Sequence, residues 1–130
     1  MVDAATLISS VRKPFNDGAY DGLRNLLDPG ITWQQLHHAS QTANREEVIQ
    51  WLKSWKASDN PQFNPDITNL RDVKDEVNGN LRIISGGGTW QRKLSGSVPE
   101  NLAFRFTFVR LDPTNDDLWL LKEAFGIILP

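Results

Sequence analysis

Few side chains in this 130-residue sequence could do chemistry, and the most suggestive pair is Arg105 and Glu123. They fall in two apolar-patterned stretches, Asn101 to Leu111 and Leu118 to Leu129, separated by a turn signal at Asp112-Pro113. That arrangement predicts adjacent antiparallel strands with the two charges near each other. An arginine beside a carboxylate keeps it ionised, which suits Glu123 to binding or water activation better than to acid catalysis. The plainer reading is an exposed cross-strand ion pair worth less than about 1 kcal/mol. In His37-His38, one histidine, with His37 the candidate, could act as a general base at neutral pH. Adjacent strand residues point opposite ways, so the two cannot chelate one metal without a turn, and no cluster with ligand spacing accompanies them. A solvated loop pair is the plainer reading there. Trp33, Trp51, Trp55 and Trp90 could line a pocket that stacks a flat apolar ligand, although each also suits an ordinary core. Gln35 could hydrogen-bond that ligand, or equally a backbone group. No metal or cofactor is expected. Gly86-Gly87-Gly88 is followed by neither Gly-Lys-Ser/Thr nor a helix, as a phosphate loop requires. Ser9, Ser10, Ser85 and Ser95 lack the G-x-S-x-G context of a hydrolase nucleophile.

The elements that must hold these residues are legible to different degrees. Asn101 to Leu111 is the least ambiguous strand, with Leu102, Phe104, Phe106 and Phe108 on one face and Ala103, Arg105, Thr107, Val109 and Leu111 on the other. Neither face is purely polar, so the strand needs cover on one side and part cover on the other. Asp3 is an N-cap for a helix carrying Ala4, Leu7, Ile8, Val11 and Phe15, which should kink or end near Pro14. A short helix with Tyr20, Leu23, Leu26 and Leu27 follows, and Asp28-Pro29-Gly30 reads as a stop. Ile31 to Leu36 is predicted as a strand and His37 to Ala43 as a loop. Asn44 with Glu47 resembles a capping box that opens a helix with the stripe Val48, Trp51, Leu52 and Trp55. Asp66 to Glu76 and Leu81 to Lys93 read as strands joined at Asn78-Gly79, a hairpin signal. The triple glycine within the second suggests a bend or the close approach of something bulky. Helices first and an antiparallel meander afterwards means an α+β fold.

Residues 1–130 read as a single domain, long enough to bury roughly two-thirds of its unfolded surface. With 39% hydrophobic and 23% charged residues the balance is that of a globular protein. A net charge of −2 provides no basic field for nucleic acid or an anionic membrane. The absence of cysteine excludes disulfide and thiolate chemistry. The N-terminus lacks the features of a signal peptide and no apolar run approaches the ~20 residues of a membrane helix, so a cytoplasmic location is expected.

The order helix, short helix, strand, tryptophan-bearing helix and long hairpin meander resembles the nuclear transport factor 2-like superfamily. The most specific pieces are Asn16-Asp-Gly-Ala-Tyr-Asp-Gly22 before Leu26-Leu27, and the turn at Asp112 before Leu118-Trp119-Leu120-Leu121. The resemblance implies N-terminal helices packed on a strongly curved, mostly antiparallel sheet, a cone-shaped α+β barrel like those of SnoaL-like polyketide cyclases and ketosteroid isomerases. It implies a ligand or reaction between helices and concave face, and often a homodimer through the convex face. Aligned without gaps on a ketosteroid isomerase, the acid tyrosine falls at Val11, the base aspartate at Gln35 and the second acid near Thr107. None of those groups can serve, so steroid-isomerase chemistry is rejected. The same alignment turns Ile84, Gly86, Gly88, Trp90, Arg105, Thr107, Leu121, Glu123 and Phe125 inward and the three phenylalanines outward. Alternation alone prefers the reverse, and one β-bulge would exchange the two; the family register is the expectation adopted.

Two functions follow. The first is a SnoaL-like binder of a small apolar or aromatic ligand, with Trp33, Trp51, Trp55 and Trp90 lining the pocket and Gln35, Arg105, Thr107 and Glu123 as its polar members. Any catalysis would be a cofactor-free cyclisation, hydration, elimination or isomerisation, with Glu123 or His37 moving a proton. The second is a non-catalytic dimerisation or protein-interaction module of the same fold.

Overall fold

The computed structural model describes residues 2–35, 42–57, 65–92, 98–112, 114–115 and 118–129. Helix α1, Ala4–Asp17, begins where the Asp3 carboxylate accepts the Thr6 amide at 2.7 Å. Its face of Leu7, Ile8, Val11 and Phe15 is buried. The helix ends shortly after Pro14, where Gly18 adopts φ 69° and Ala19 N donates to the Pro14 carbonyl at 2.8 Å. That left-handed closure favours glycine because a Cβ there would crowd the preceding backbone. Helix α2, Tyr20–Arg24, buries Tyr20 and Leu23.

Strand β1, Leu27–Gln35, starts earlier than the turn residues suggest. Asp28-Pro29-Gly30 does not stop the chain; it makes an irregularity inside the strand. The Asp28 carboxylate accepts the Gly30 amide at 2.8 Å, and the pairing register shifts between Leu27 and Thr32. Strand β2 is Thr42–Ala43, and helix α3 spans Arg45–Ala57. Asn44 caps α3, its side-chain oxygen accepting the Glu47 amide at 3.0 Å. The buried face of α3 is Val48, Ile49 and Leu52, while Trp51 is only half-buried at its shoulder.

Strands β3 (Pro65–Asn78), β4 (Leu81–Arg92), β5 (Glu100–Arg110) and β6 (Trp119–Leu129) form the expected meander. The curved six-stranded sheet has the order β2-β1-β6-β5-β4-β3, antiparallel except where β1 meets β6. The β3–β4 hairpin turns one residue later than the Asn-Gly signal, through Gly79-Asn80, with Asn78 facing Leu81. Only Gly79 has positive φ there, at 62°, which matches a type II′ turn with glycine first.

Curvature comes from β3 and the glycines beneath it. The β3–β4 register shifts twice, between Thr68 and Arg71 and between Arg71 and Lys74, with Asn69 at φ 51° and Asp72 at φ 54°. These bulges press β3 onto β4. A Cβ on Gly86 would stand 2.9 Å from the Arg71 carbonyl oxygen and 3.2 Å from Phe104 Cζ. The bulky approach implied by the triple glycine is therefore the neighbouring backbone. Phe104 faces Gly86 on β4 and Gly126 on β6, so its ring sits over a row cleared of side chains.

The family register fails on β5. Strands β4 and β5 pair without a break from Leu81 opposite Val109 to Trp90 opposite Glu100. Directly opposed residues share a face, so inward Ile84 forces Phe106 inward, and Gly86 and Arg82 do the same for Phe104 and Phe108. Leu102, Phe104 and Phe108 are buried, with Phe106 packed against the core. The bulge lies on β6 instead. Thr107 opposes Glu123 but Phe108 opposes Leu121, so Leu121 and Ala124 both face inward while Glu123 faces out.

Candidate functional site

Beneath α1 the sheet leaves an apolar cavity with about 50 Å³ open to the centres of water-sized molecules. At roughly 10–15 Å³ for each, it would hold about four waters or a small apolar group. Helix α1 provides Ile8, Val11, Arg12 and Phe15, and the sheet provides Trp33, Gln34, Leu70, Trp90, Leu102, Phe104, Phe106, Ala124 and Gly126; Phe125 borders it between the last two, although its ring turns outward toward Arg105. The Phe15 and Trp33 rings lie 6.0 Å apart and tilted, and those of Phe104 and Phe106 5.1 Å apart. Such contacts stabilise the walls by about 0.5–1.5 kcal/mol each beyond area burial.

Trp33 and Trp90 stand in the cavity wall, both nearly buried. Trp51 packs on the core from α3 and does not border the cavity. The side chains of Gln35 and Trp55, and His37 and His38 entirely, lie outside the described residues.

Arg105 and Glu123 meet as expected but in the wrong place. Their side chains approach to 3.2 Å, are 53% and 43% exposed, and lie on the outer face of the sheet, away from the cavity. The Arg105 guanidinium also lies 5.6 Å from the Phe125 ring centroid. Thr107, opposite Glu123, shares that outer face. The pairing register that turned the phenylalanines inward put these three outside, so none of them borders the cavity. Neither Arg105 nor Glu123 gains from a low-dielectric setting, and the plainer reading, a solvated ion pair, describes them.

Sequence reasoning missed two groups. Arg12 borders the cavity, half-buried, four residues after Ile8 on the shoulder of the same helical face. That i, i+4 spacing is a readable signal, obscured by the stronger apolar stripe beside it. The second group sits at another part of the inner face. Arg82 is 2% exposed and makes a bidentate pair with Asp75, at 2.9 and 2.7 Å. The guanidinium centres of Arg82 and Arg110 lie 5.6 and 5.0 Å from the centroid of buried Trp119. Hydrogen bonding from Arg82, partly opposed by burial, holds the Asp75 carboxyl below the usual aspartate range. Alternation from Ile84 places Arg82 inward, and its buried length matches an aromatic neighbour.

Among the described residues there is no group of three metal-ligating side chains, and no helix is long and apolar enough to cross a membrane.

No protein-family model matches the sequence, and no curated protein is similar enough to count as a relative. Solved structures do match in shape. A candidate dehydratase of the NTF2-like family from Streptomyces avermitilis superposes with a TM-score of 0.79 at 13% identity, over 97% of this chain and 94% of that one. The S. rosetta CaMKII hub gives 0.76 at 14%, over 96% and 93%. A Catenulispora acidiphila structure in complex with S-DNPA gives 0.74 at 9%, over 95% and 89%. Identities this low speak to fold and not to activity. Helices on a curved sheet, the meander order and these superpositions together establish that the chain has the nuclear transport factor 2-like fold.

Proposed function

We propose that the protein binds a small apolar or aromatic molecule between α1 and the sheet. The observation that carries this reading is the cavity itself. It persists among large side chains that could have filled it, and two tryptophans stand in its wall. Close packing is the rule in protein interiors, and an apolar void forfeits dispersion contacts unless something occupies it. Glu123 has no part in the reading, because it is on the far side of the sheet. The S-DNPA complex of the C. acidiphila protein shows a ligand on a chain of similar shape.

The test is titration of intrinsic tryptophan fluorescence with a panel of small aromatics, using Trp33→Phe and Trp90→Phe variants to locate the response. Saturable quenching or a spectral shift that is lost when Trp33 and Trp90 are replaced is expected. A folded protein that responds to no member of the panel would refute the reading.

A second reading rests on a different surface. Leu81, Ile83 and Ile127 are exposed, at 44%, 36% and 37%, on the outer face that also carries Arg105 and Phe125. Exposed apolar side chains with arginine and an aromatic suit an interface core. A homodimer through this face is compatible with ligand binding on the other. Sedimentation of the intact chain against Ile83→Lys distinguishes a dimer, which the variant would split, from a monomer, which it would leave unchanged.

A further inference from the structure

We infer that the cavity selects carboxylic acids over neutral molecules of the same shape, with Arg12 holding the carboxylate. This rests on the binding reading above and names its ligand class. Arg12 is the one charged residue among the described residues bordering the cavity. It is half-buried, and no described residue forms an ion pair or hydrogen bond with its side chain. Every other arginine whose side chain is described has a polar partner. Arg24 has Asp21 and Glu46, Arg45 has Glu46, Arg71 has Asn101, Arg82 has Asp75, Arg105 has Glu123 and Arg110 has the Gly79 carbonyl.

A guanidinium stays protonated at any physiological pH, so its charge at the rim is permanent. The side chain is half-buried beside an almost wholly apolar lining, and its guanidinium is underserved until an acceptor arrives. A carboxylate satisfies it best, because two oxygens match the planar N–H fork and the bond is charge-assisted. A neutral amide or alcohol makes a weaker bond, and a cation is repelled. The apolar walls then dictate the remainder of the ligand, with the volume suiting a short branched chain. Isobutyrate and isovalerate meet both demands.

Isothermal titration of the intact protein at pH 7 with isobutyrate and isovalerate, against isobutyramide and isobutanol, tests the inference. The acids should bind roughly ten- to a hundredfold more tightly than their neutral counterparts, as expected for a hydrogen bond to a charged group. Arg12→Leu should abolish that preference, with an unchanged tryptophan emission spectrum and urea midpoint showing that the variant is folded. Arg12→Lys should restore part of it. Equal affinity for acid and neutral probes, or a preference that survives Arg12→Leu, overturns the role of Arg12 but leaves the cavity as a binding site. No binding of any probe overturns both.

Discussion

Gly86→Ala tests the geometry that creates the cavity. The added Cβ would lie 2.9 Å from the Arg71 carbonyl oxygen and 3.2 Å from both Val73 Cα and Phe104 Cζ. Two of those neighbours are backbone in a bulged strand, so relief requires β3 to lift or the Phe104 ring to move. Overpacking of that kind costs about 1–3 kcal/mol. Replacing a strand glycine by alanine otherwise gains about 0.5–1 kcal/mol in backbone entropy, leaving a net loss of up to about 2.5 kcal/mol. Gly87→Ala is the internal control. Its Cβ would meet nothing nearer than 3.5 Å, so the entropy gain stands nearly alone and the variant should be neutral or slightly stabilised. Urea unfolding followed by tryptophan fluorescence reads both values, provided the slope with denaturant is unchanged. At this chain length the two midpoints should differ by roughly 5–10 °C in a thermal melt. Because Phe104 also borders the cavity, Gly86→Ala should weaken aromatic binding while Gly87→Ala should not. If Gly86→Ala proves as stable as Gly87→Ala, the bulges do not press β3 onto β4 and the account of the curvature is wrong.

The Asp75–Arg82 pair should appear in the pH dependence of stability. The folded carboxyl lies below its ordinary value, so the unfolded chain takes up a proton first as pH falls. The contribution is therefore complete above about pH 5 and disappears as pH drops through the folded value; comparing acid unfolding with Asp75→Asn should show a flatter profile for the variant. Near neutral pH, Asp75→Asn should cost about 1–3 kcal/mol, less than for a wholly buried pair because the Asp75 side chain is 29% exposed. Arg105→Ala and Glu123→Gln should each change stability by less than about 1 kcal/mol and leave the affinity for cavity ligands unchanged; an effect on binding from either would contradict their placement on the outer face.

How far the sequence could be read depended on whether a signal was local. Asp3, Asn44 and the period of β5 act within a few residues, and each formed the structure that its chemistry demands. The order of elements was enough to identify the fold. Asp28-Pro29-Gly30 misled because strong turn residues can be absorbed as an irregularity when β6 offers a partner strand. The facing of β5 was legible from alternation alone, and borrowing the register of an isomerase reversed it. A bulge decides facing non-locally, and nothing around Lys122 and Glu123 announces one. Gly86 advertised a close approach, but only the pairing of β3 could say that the approaching group is the Arg71 carbonyl.

That bulge also determines what chemistry the described cavity can support. By passing Glu123 outward it leaves the inner face near the cavity as Leu102, Phe104, Phe106 and Ala124, none of which titrates. The inward polar residues of β3 and β4, Asp75 and Arg82, are committed to each other beside Trp119. The Arg12 side chain offers donors and no acceptor, so it takes no proton from a substrate. A general base must lie within hydrogen-bond reach of the proton it removes, and the described lining contains no carboxylate or imidazole. What this lining offers is an almost wholly apolar surface, with Arg12 at its border. Under the proposed reading, such a lining would discriminate among ligands by shape and charge.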